Sequence, residues 1–241
     1  MANNQKTIII LPGWGGTKAG WQGFMELFKE DDLKVICFNL PCFGDEPCPK
    51  EAWGVEEYAD FVKKKIIGLK ISGPVVLFGH SFGGQVAAYL AAKESSMFTR
   101  LILSGPAVIR PNRSFKRFVF VKLARLGKIL IALPVIRNYG KLSRKVLYRL
   151  AGSPDYSKTS GIEREIYQKI IRQDLTDLLP KIKIPALIIW GSKDSYVPLR
   201  NGRKIVSMMP KARLKIIKGG KHGLHLQQPK NLYKIVKEFL D

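Results

Sequence analysis

Residues 75–92, VVLFGHSFGGQVAAYLAA, constrain the fold more than any other stretch. Four apolar β-formers, Val75 to Phe78, run into Gly79-His80-Ser81-Phe82-Gly83, and a helical run of small residues follows. Strand, sharp turn, helix is the setting in which G-x-S-x-G carries chemical meaning. The serine stands at the apex of a strained turn with its Oγ exposed. A Cβ on either flanking glycine would strike the neighbouring strand or helix. The bland alternative is a glycine-rich turn holding an idle serine; the complete strand–turn–helix context favours a nucleophile at Ser81.

The rest of the chain repeats this alternation. Thr7–Leu11, Leu33–Leu40, Arg100–Ser104, Ala186–Trp190 and Leu214–Ile217 read as further strands, most of them closed by Gly or Pro. Helical spacing of apolar residues marks Lys18–Phe28, Val55–Ile67 and a last helix beginning at Pro229, a favoured first helical position. Strands alternating with helices predict an α/β fold with a doubly wound, mostly parallel sheet of six strands. Ligands in such a sheet bind beyond the carboxyl ends of the strands. The fourth and fifth strands lie about eighty residues apart, far beyond an ordinary crossover, so a helical cap is expected over 111–161, with the core made of 1–110 and 162–241.

Charge is the second constraint. The formal net charge is +22, and twelve lysines and arginines but no acid fall between Arg110 and Arg149. A basic amphipathic segment, Phe115–Leu133, opens that block. Such a field matches an anionic membrane surface or an acidic carrier protein; nucleic acid ranks behind them, since no binding motif accompanies the charge. A solvated lid face is the plain alternative. No apolar run approaches the ~18 residues of a membrane span, and the N-terminus lacks the regions of a signal peptide, so the cytoplasm is the expected location. Cys37, Cys42 and Cys48 lie within twelve residues with no fourth cysteine and no nearby histidine, and are expected as free thiols rather than metal ligands. No metal or cofactor is expected.

A serine hydroxyl needs an adjacent base, normally a histidine held by a carboxylate. Of three histidines, His80 sits inside the turn and is a poor base by position. His222 and His225 lie in the loop after the last strand, with His222 favoured because it comes first, between glycines. The loop after the fifth strand offers one acid, Asp194, and the loop after the fourth offers none. Asp194 is thus the expected partner, against the alternative of a turn aspartate bonding its own backbone.

These pieces resemble the α/β-hydrolase superfamily, in its cap-bearing, esterase-like branch: LPGWGG at 11–16, NLPCFG at 39–44, GHSFGG at 79–84, WGSKDSYVP at 190–198 and GGKHGLHLQQP at 219–229. The chain order Ser81, Asp194, His222 is that of the superfamily. The resemblance implies that Ser81 attacks, His222 shuttles the proton and Asp194 sets its tautomer, with the amides of Trp14 and Phe82 forming the oxyanion hole. It also implies a sheet lacking the family's first antiparallel hairpin. Two departures stand out: Pro12 where histidine is usual before Gly13, and Cys42 where the turn usually has glycine.

Trp14 and Phe43 either line an acyl pocket or pack under the cap; with Phe115, Phe118 and Phe120 of the cap they point to small or medium apolar esters. Carbon–carbon hydrolysis of diketones uses the same triad, and a non-catalytic binding protein on this fold is the rival from another class.

Overall fold

The computed structural model describes residues 5–110 and 159–241. Among them, six strands form one sheet: β1 (Lys6–Leu11), β2 (Leu33–Cys37), β3 (Val75–His80), β4 (Arg100–Ser104), β5 (Ala186–Gly191) and β6 (Ala212–Ile217). Their order is β2-β1-β3-β4-β5-β6 and every pairing is parallel. The winding direction reverses between β1 and β3. A crevice opens there at the carboxyl ends of the strands, and the two loops that leave it carry Trp14 and Ser81. Most strand boundaries fall within a residue of the expected ones. β6 begins two residues early, at Ala212, and β2 stops at Cys37 before the turn at 39–45.

The helices are α1 (Lys18–Met25, running on as a tight turn through Phe28), α2 (Val55–Gly68), α3 (Ser81–Lys93), α4 (Gly161–Ile170), α5 (Leu199–Met208), α6 (Leu224–Gln227) and α7 (Pro229–Leu240). α5 was not anticipated. Strand alternation sorts the core into two layers. Ile8, Ile10, Val76, Phe78, Ile102, Leu187 and Ile189 face Trp21 and Phe24 of α1 and Leu232 and Val236 of α7. Ile9, Leu11, Leu77, Leu101, Leu103 and Ile188 face Val62 of α2, Val86 of α3, Ile166 of α4 and Ile205 of α5. Both faces are covered, which is why β3 is apolar at successive positions. Lys6 Nζ donates to Leu240 O at 2.6 Å and Arg100 Nη1 to Phe239 O at 2.6 Å, so two cations satisfy the open carbonyls at the end of α7.

A buried polar hub ties the nucleophile helix to the segment that follows 111–158. Gln85, fully buried, donates through Nε2 to Gln173 O at 2.8 Å and to Ile170 O at 3.3 Å. Its Oε1 accepts from Arg110 Nη2 at 3.0 Å. Gln85→Leu keeps the volume but strands those partners, and is expected to lower stability by about 2–4 kcal/mol in urea unfolding; a loss within error would show that the hub is dispensable.

The expectation of three free thiols is corrected. Cys42 and Cys48 form a disulfide, and Cys37 alone is free. The turn between them folds back on itself, with Phe43 N donating to Leu40 O and Glu46 N to Phe43 O, which brings the two Cα atoms to 4.1 Å. Cys42 also takes φ +77°, the left-handed conformation that glycine would supply, so the loop keeps its course despite the substitution. Burial pushes the Cys37 thiol up to about 12, which leaves it unreactive. No helix among the described residues is long and apolar enough to cross a membrane. The cap expected over 111–161, with its basic helices, lies outside the described residues except for 159–161.

Candidate active site

β3 ends and α3 begins with a single residue in an unusual backbone state. Ser81 has φ +51°, a conformation that a side chain rarely adopts. The turn is tight because its glycines touch backbone. A Cβ on Gly83 would lie 2.2 Å from Leu11 O, and one on Gly79 2.5 Å from Gly83 O. Phe82 follows in the first turn of α3, whose amides have no carbonyl partner within the helix and point toward the crevice end. Gly13 of the loop after β1 packs against Ser81 and His80; a Cβ there would stand 3.1 Å from Ser81 Cβ.

The second half of the site comes from the loops after β5 and β6, which are drawn together by backbone. Lys193 N donates to Gly220 O at 2.8 Å, and Gly219 N to Ser192 Oγ at 2.9 Å. His222 Nδ1 then meets Asp194 Oδ2 at 2.7 Å. An ionised carboxylate only accepts, so Nδ1 carries the proton and Nε2 is left as the basic nitrogen. Both carboxylate oxygens of Asp194 are engaged. Its Oδ1 accepts from Tyr196 N at 2.8 Å and Val197 N at 2.9 Å, forming the local turn, while Oδ2 holds the imidazole. Its side chain is 1% exposed. Gly105, at φ +51° after β4, leaves room for this pair; a Cβ would reach to 3.2 Å from the His222 ring.

All three histidines meet here in a ladder of rings. Trp21 stacks on His225 (centroids 4.0 Å, interplanar 1°), and His225 abuts His80 at 5.1 Å. His80 abuts His222 at 4.8 Å, and Tyr196 covers the outer face of His222 at 5.1 Å and 16°. Burial disfavours the charged form of both inner rungs. His80 is buried and donates from Nδ1 to Ser104 O at 2.9 Å; burial first, then the neighbouring imidazoles, hold it well below the ordinary histidine range. His225 belongs to α6. Burial lowers it to about 4, and its Nδ1 has no hydrogen-bond partner among the described residues. A histidine kept neutral by the fold but protonated in the unfolded chain leaves stability intact above about pH 6.5. That stability is lost as the pH falls toward about 4. His225→Phe, which keeps the stack on Trp21 and cannot take up a proton, is therefore expected to flatten this acid slope. Urea midpoints at neutral pH and at about pH 4.5 would test it, and an unchanged slope would refute it.

An aromatic cage surrounds Trp14. Its ring makes edge contacts with Phe43 at 4.9 Å, Phe82 at 5.6 Å and Tyr167 at 5.0 Å. Phe43 is buried, so it supports Trp14 from beneath. Tyr167, on α4, was not anticipated. Its only trace in the sequence is the spacing Ile166, Tyr167, Ile170, which marks a buried helical face without saying what it meets. The ~550 Å³ depression lined by Lys6, Asp31 and Lys237 opens at the opposite, amino-terminal end of the strands, away from Ser81.

Comparison with known proteins agrees with this fold. The family model for the alpha/beta hydrolase fold matches residues 6–229. The chain is 24% identical to a pimeloyl-[acyl-carrier protein] methyl ester esterase of Neisseria meningitidis serogroup A, over 100% of this chain and 78% of that one. It is also 24% identical to a 2-hydroxy-6-oxononadienedioate/2-hydroxy-6-oxononatrienedioate hydrolase of Burkholderia vietnamiensis, over 98% and 87%. Among solved structures, a bacterial membrane phospholipase A superposes with TM-score 0.75 at 21% identity, covering 98% of this chain and 79% of that one. The enol-lactonase of Burkholderia xenovorans does so with TM-score 0.73 at 22% identity, covering 98% and 92%. The matched span runs from β1 to the start of α7 and takes in the Ser81 turn and both loops that face it: the chain belongs to the alpha/beta hydrolase fold family.

Proposed function

We propose that this chain is a serine hydrolase of small to medium apolar carboxylic esters, acting through an acyl-enzyme. The observation that carries the proposal is the 2.7 Å bond from His222 to the buried Asp194, with the His222 ring 4.8 Å from that of His80, the residue that precedes the strained Ser81. Ser81 Oγ attacks the ester carbonyl as its proton passes to His222 Nε2. The amides of Trp14 and Phe82 hold the oxyanion, and the alkoxide leaves with the proton from His222. Water, deprotonated by the same imidazole, then releases the acid. Asp194 stabilises the imidazolium and keeps Nδ1 as the bonded nitrogen. Trp14 walls the acyl side, with Phe43, expected beside it, packed beneath.

A narrower version adds the substrate's carrier: an interfacial lipid or an acyl group on an acidic carrier protein, docked through the basic block of the cap at 111–161. It is favoured by the charge of that block, and by a relative named for an acyl-carrier-protein ester. The test is direct. A fluorophosphonate should form one adduct per chain, mapping to Ser81, and p-nitrophenyl esters of increasing acyl length should show a burst of one phenol per site. A chain that neither labels nor turns over esters is a binding protein on this fold. Cleavage of a vinylogous diketone without ester turnover would replace ester by carbon–carbon chemistry.

A further inference from the structure

The basic block at 110–149 is not the only one. From residue 195 to 237 the chain carries eleven lysines and arginines and no acid. Part of this has a plain purpose: β6 is an edge strand, and Arg213 and Lys215 there discourage pairing with another chain, Lys215 also bonding Glu238. Lys218 and Lys221 fall outside that explanation, as does Lys193 just ahead of the block. Lys193, Lys218 and Lys221 are exposed, lie in loops, and make no ion pair with any described residue.

The fold gathers these three at one place. Lys193 N bonds Gly220 O, Lys218 O accepts from Gln228 Nε2, and Lys221 N donates to Gln227 Oε1. The backbone of all three, with the turn carrying residues 226–228, forms one hydrogen-bonded knot at the carboxyl ends of β5 and β6. Leu226, 66% exposed, stands on this knot, and Tyr196, 55% exposed, stacks on His222, the neighbour of Lys221. Leu226 is the most exposed large hydrophobic side chain among the described residues. The nearest acid, Asp194, is buried and its oxygens are engaged, so it offers no counter-charge to solvent.

We propose that this knot is a docking face for an anionic lipid surface, with Leu226 and Tyr196 entering the headgroup layer and Lys193, Lys218 and Lys221 resting on its phosphates. Lysines around an exposed aliphatic chain and an aromatic ring are the composition of an interfacial anchor. An acidic protein would engage the lysines but would leave a two-thirds exposed leucine with no reason to be there. The face borders His222, so a docked chain turns its crevice toward the surface. Docking stands independently of the ester chemistry, because vesicle binding is read without turnover.

Co-sedimentation of the full chain with vesicles tests it. Binding is expected to phosphatidylcholine vesicles carrying about 30% phosphatidylglycerol, with release at high salt and none to phosphatidylcholine alone. Each lysine contributes about fivefold, so Lys193→Gln with Lys218→Gln and Lys221→Gln should weaken binding about a hundredfold. Leu226→Ser should weaken it about tenfold. Unchanged hydrolysis of a soluble short-chain ester and an unchanged circular dichroism spectrum would show that the variants are folded. If the triple variant does not fold, the single variants should each show the fivefold loss. Wild-type chain that ignores the anionic vesicles overturns the proposal, as does a folded triple variant that binds them undiminished. Lysine-dependent retention on an immobilised acidic carrier protein, without vesicle binding, would assign the face to a protein instead.

Discussion

Ser81→Ala is expected to lower ester turnover about 10⁶-fold and to abolish fluorophosphonate labelling, while leaving the fold intact. The loss is large because the remaining groups act only through Ser81 Oγ: without it His222 has no alcohol to deprotonate and no acyl-enzyme forms. A residual rate above water, from the Trp14 and Phe82 amides and from substrate binding, should survive. Stability should not fall, since among the described residues the Ser81 side chain donates no bond that the fold needs. Relief of the +51° backbone is not expected either, because alanine carries the same Cβ. Single-turnover kinetics with a p-nitrophenyl ester would measure the effect. Retention of the burst in Ser81→Ala would place the nucleophile elsewhere and remove the acyl-enzyme mechanism.

Asp194→Asn is expected to reduce kcat by about 10⁴ with little change in KM. The local turn dictates the outcome. Oδ1 already accepts from Tyr196 N and Val197 N, so asparagine keeps its oxygen there and presents its NH₂ to His222. The imidazole can then only accept at Nδ1, which moves the ring proton to Nε2, where a base is needed. Geometry is kept and the tautomer is wrong. Asp194→Ala differs in a useful way: it also releases the two turn amides and should destabilise the β5 loop. If Asp194→Asn retains near-full activity, the carboxylate holds the loop and does not orient the base.

Much of this site could be read before any coordinates. The Ser81 turn was legible because its signals are local: a strand, two glycines and a helix contiguous in sequence. Their steric meaning is visible in Gly79 and Gly83, where a Cβ would overlap backbone atoms. His222 and Asp194 were legible for a different reason. The chain has few histidines, and the loops at the carboxyl ends offer few acids, so scarcity did the work that distance does in a structure. Pairing of the cysteines was not legible, because three thiols close in sequence say nothing about whether a turn brings two of them together. α5 was missed as well: its buried contacts are Gly202 against Trp190 and Ile205, too few apolar residues to stand out among its basic ones.

Local periodicity, turn chemistry and residue type are properties of neighbours along the chain. They were enough to establish a parallel α/β sheet and a strand–turn–helix at Ser81, and to propose His222 and Asp194 as its partners. The contacts that shape the site join residues far apart along the chain: Tyr167 against Trp14, the four-ring succession from Trp21 to His222, the Gln85 hub, and the knot that sets three lysines around Leu226. Each depends on how two loops or layers are spaced once the sheet has formed. That spacing is set by many packed side chains at once, and no single segment encodes it.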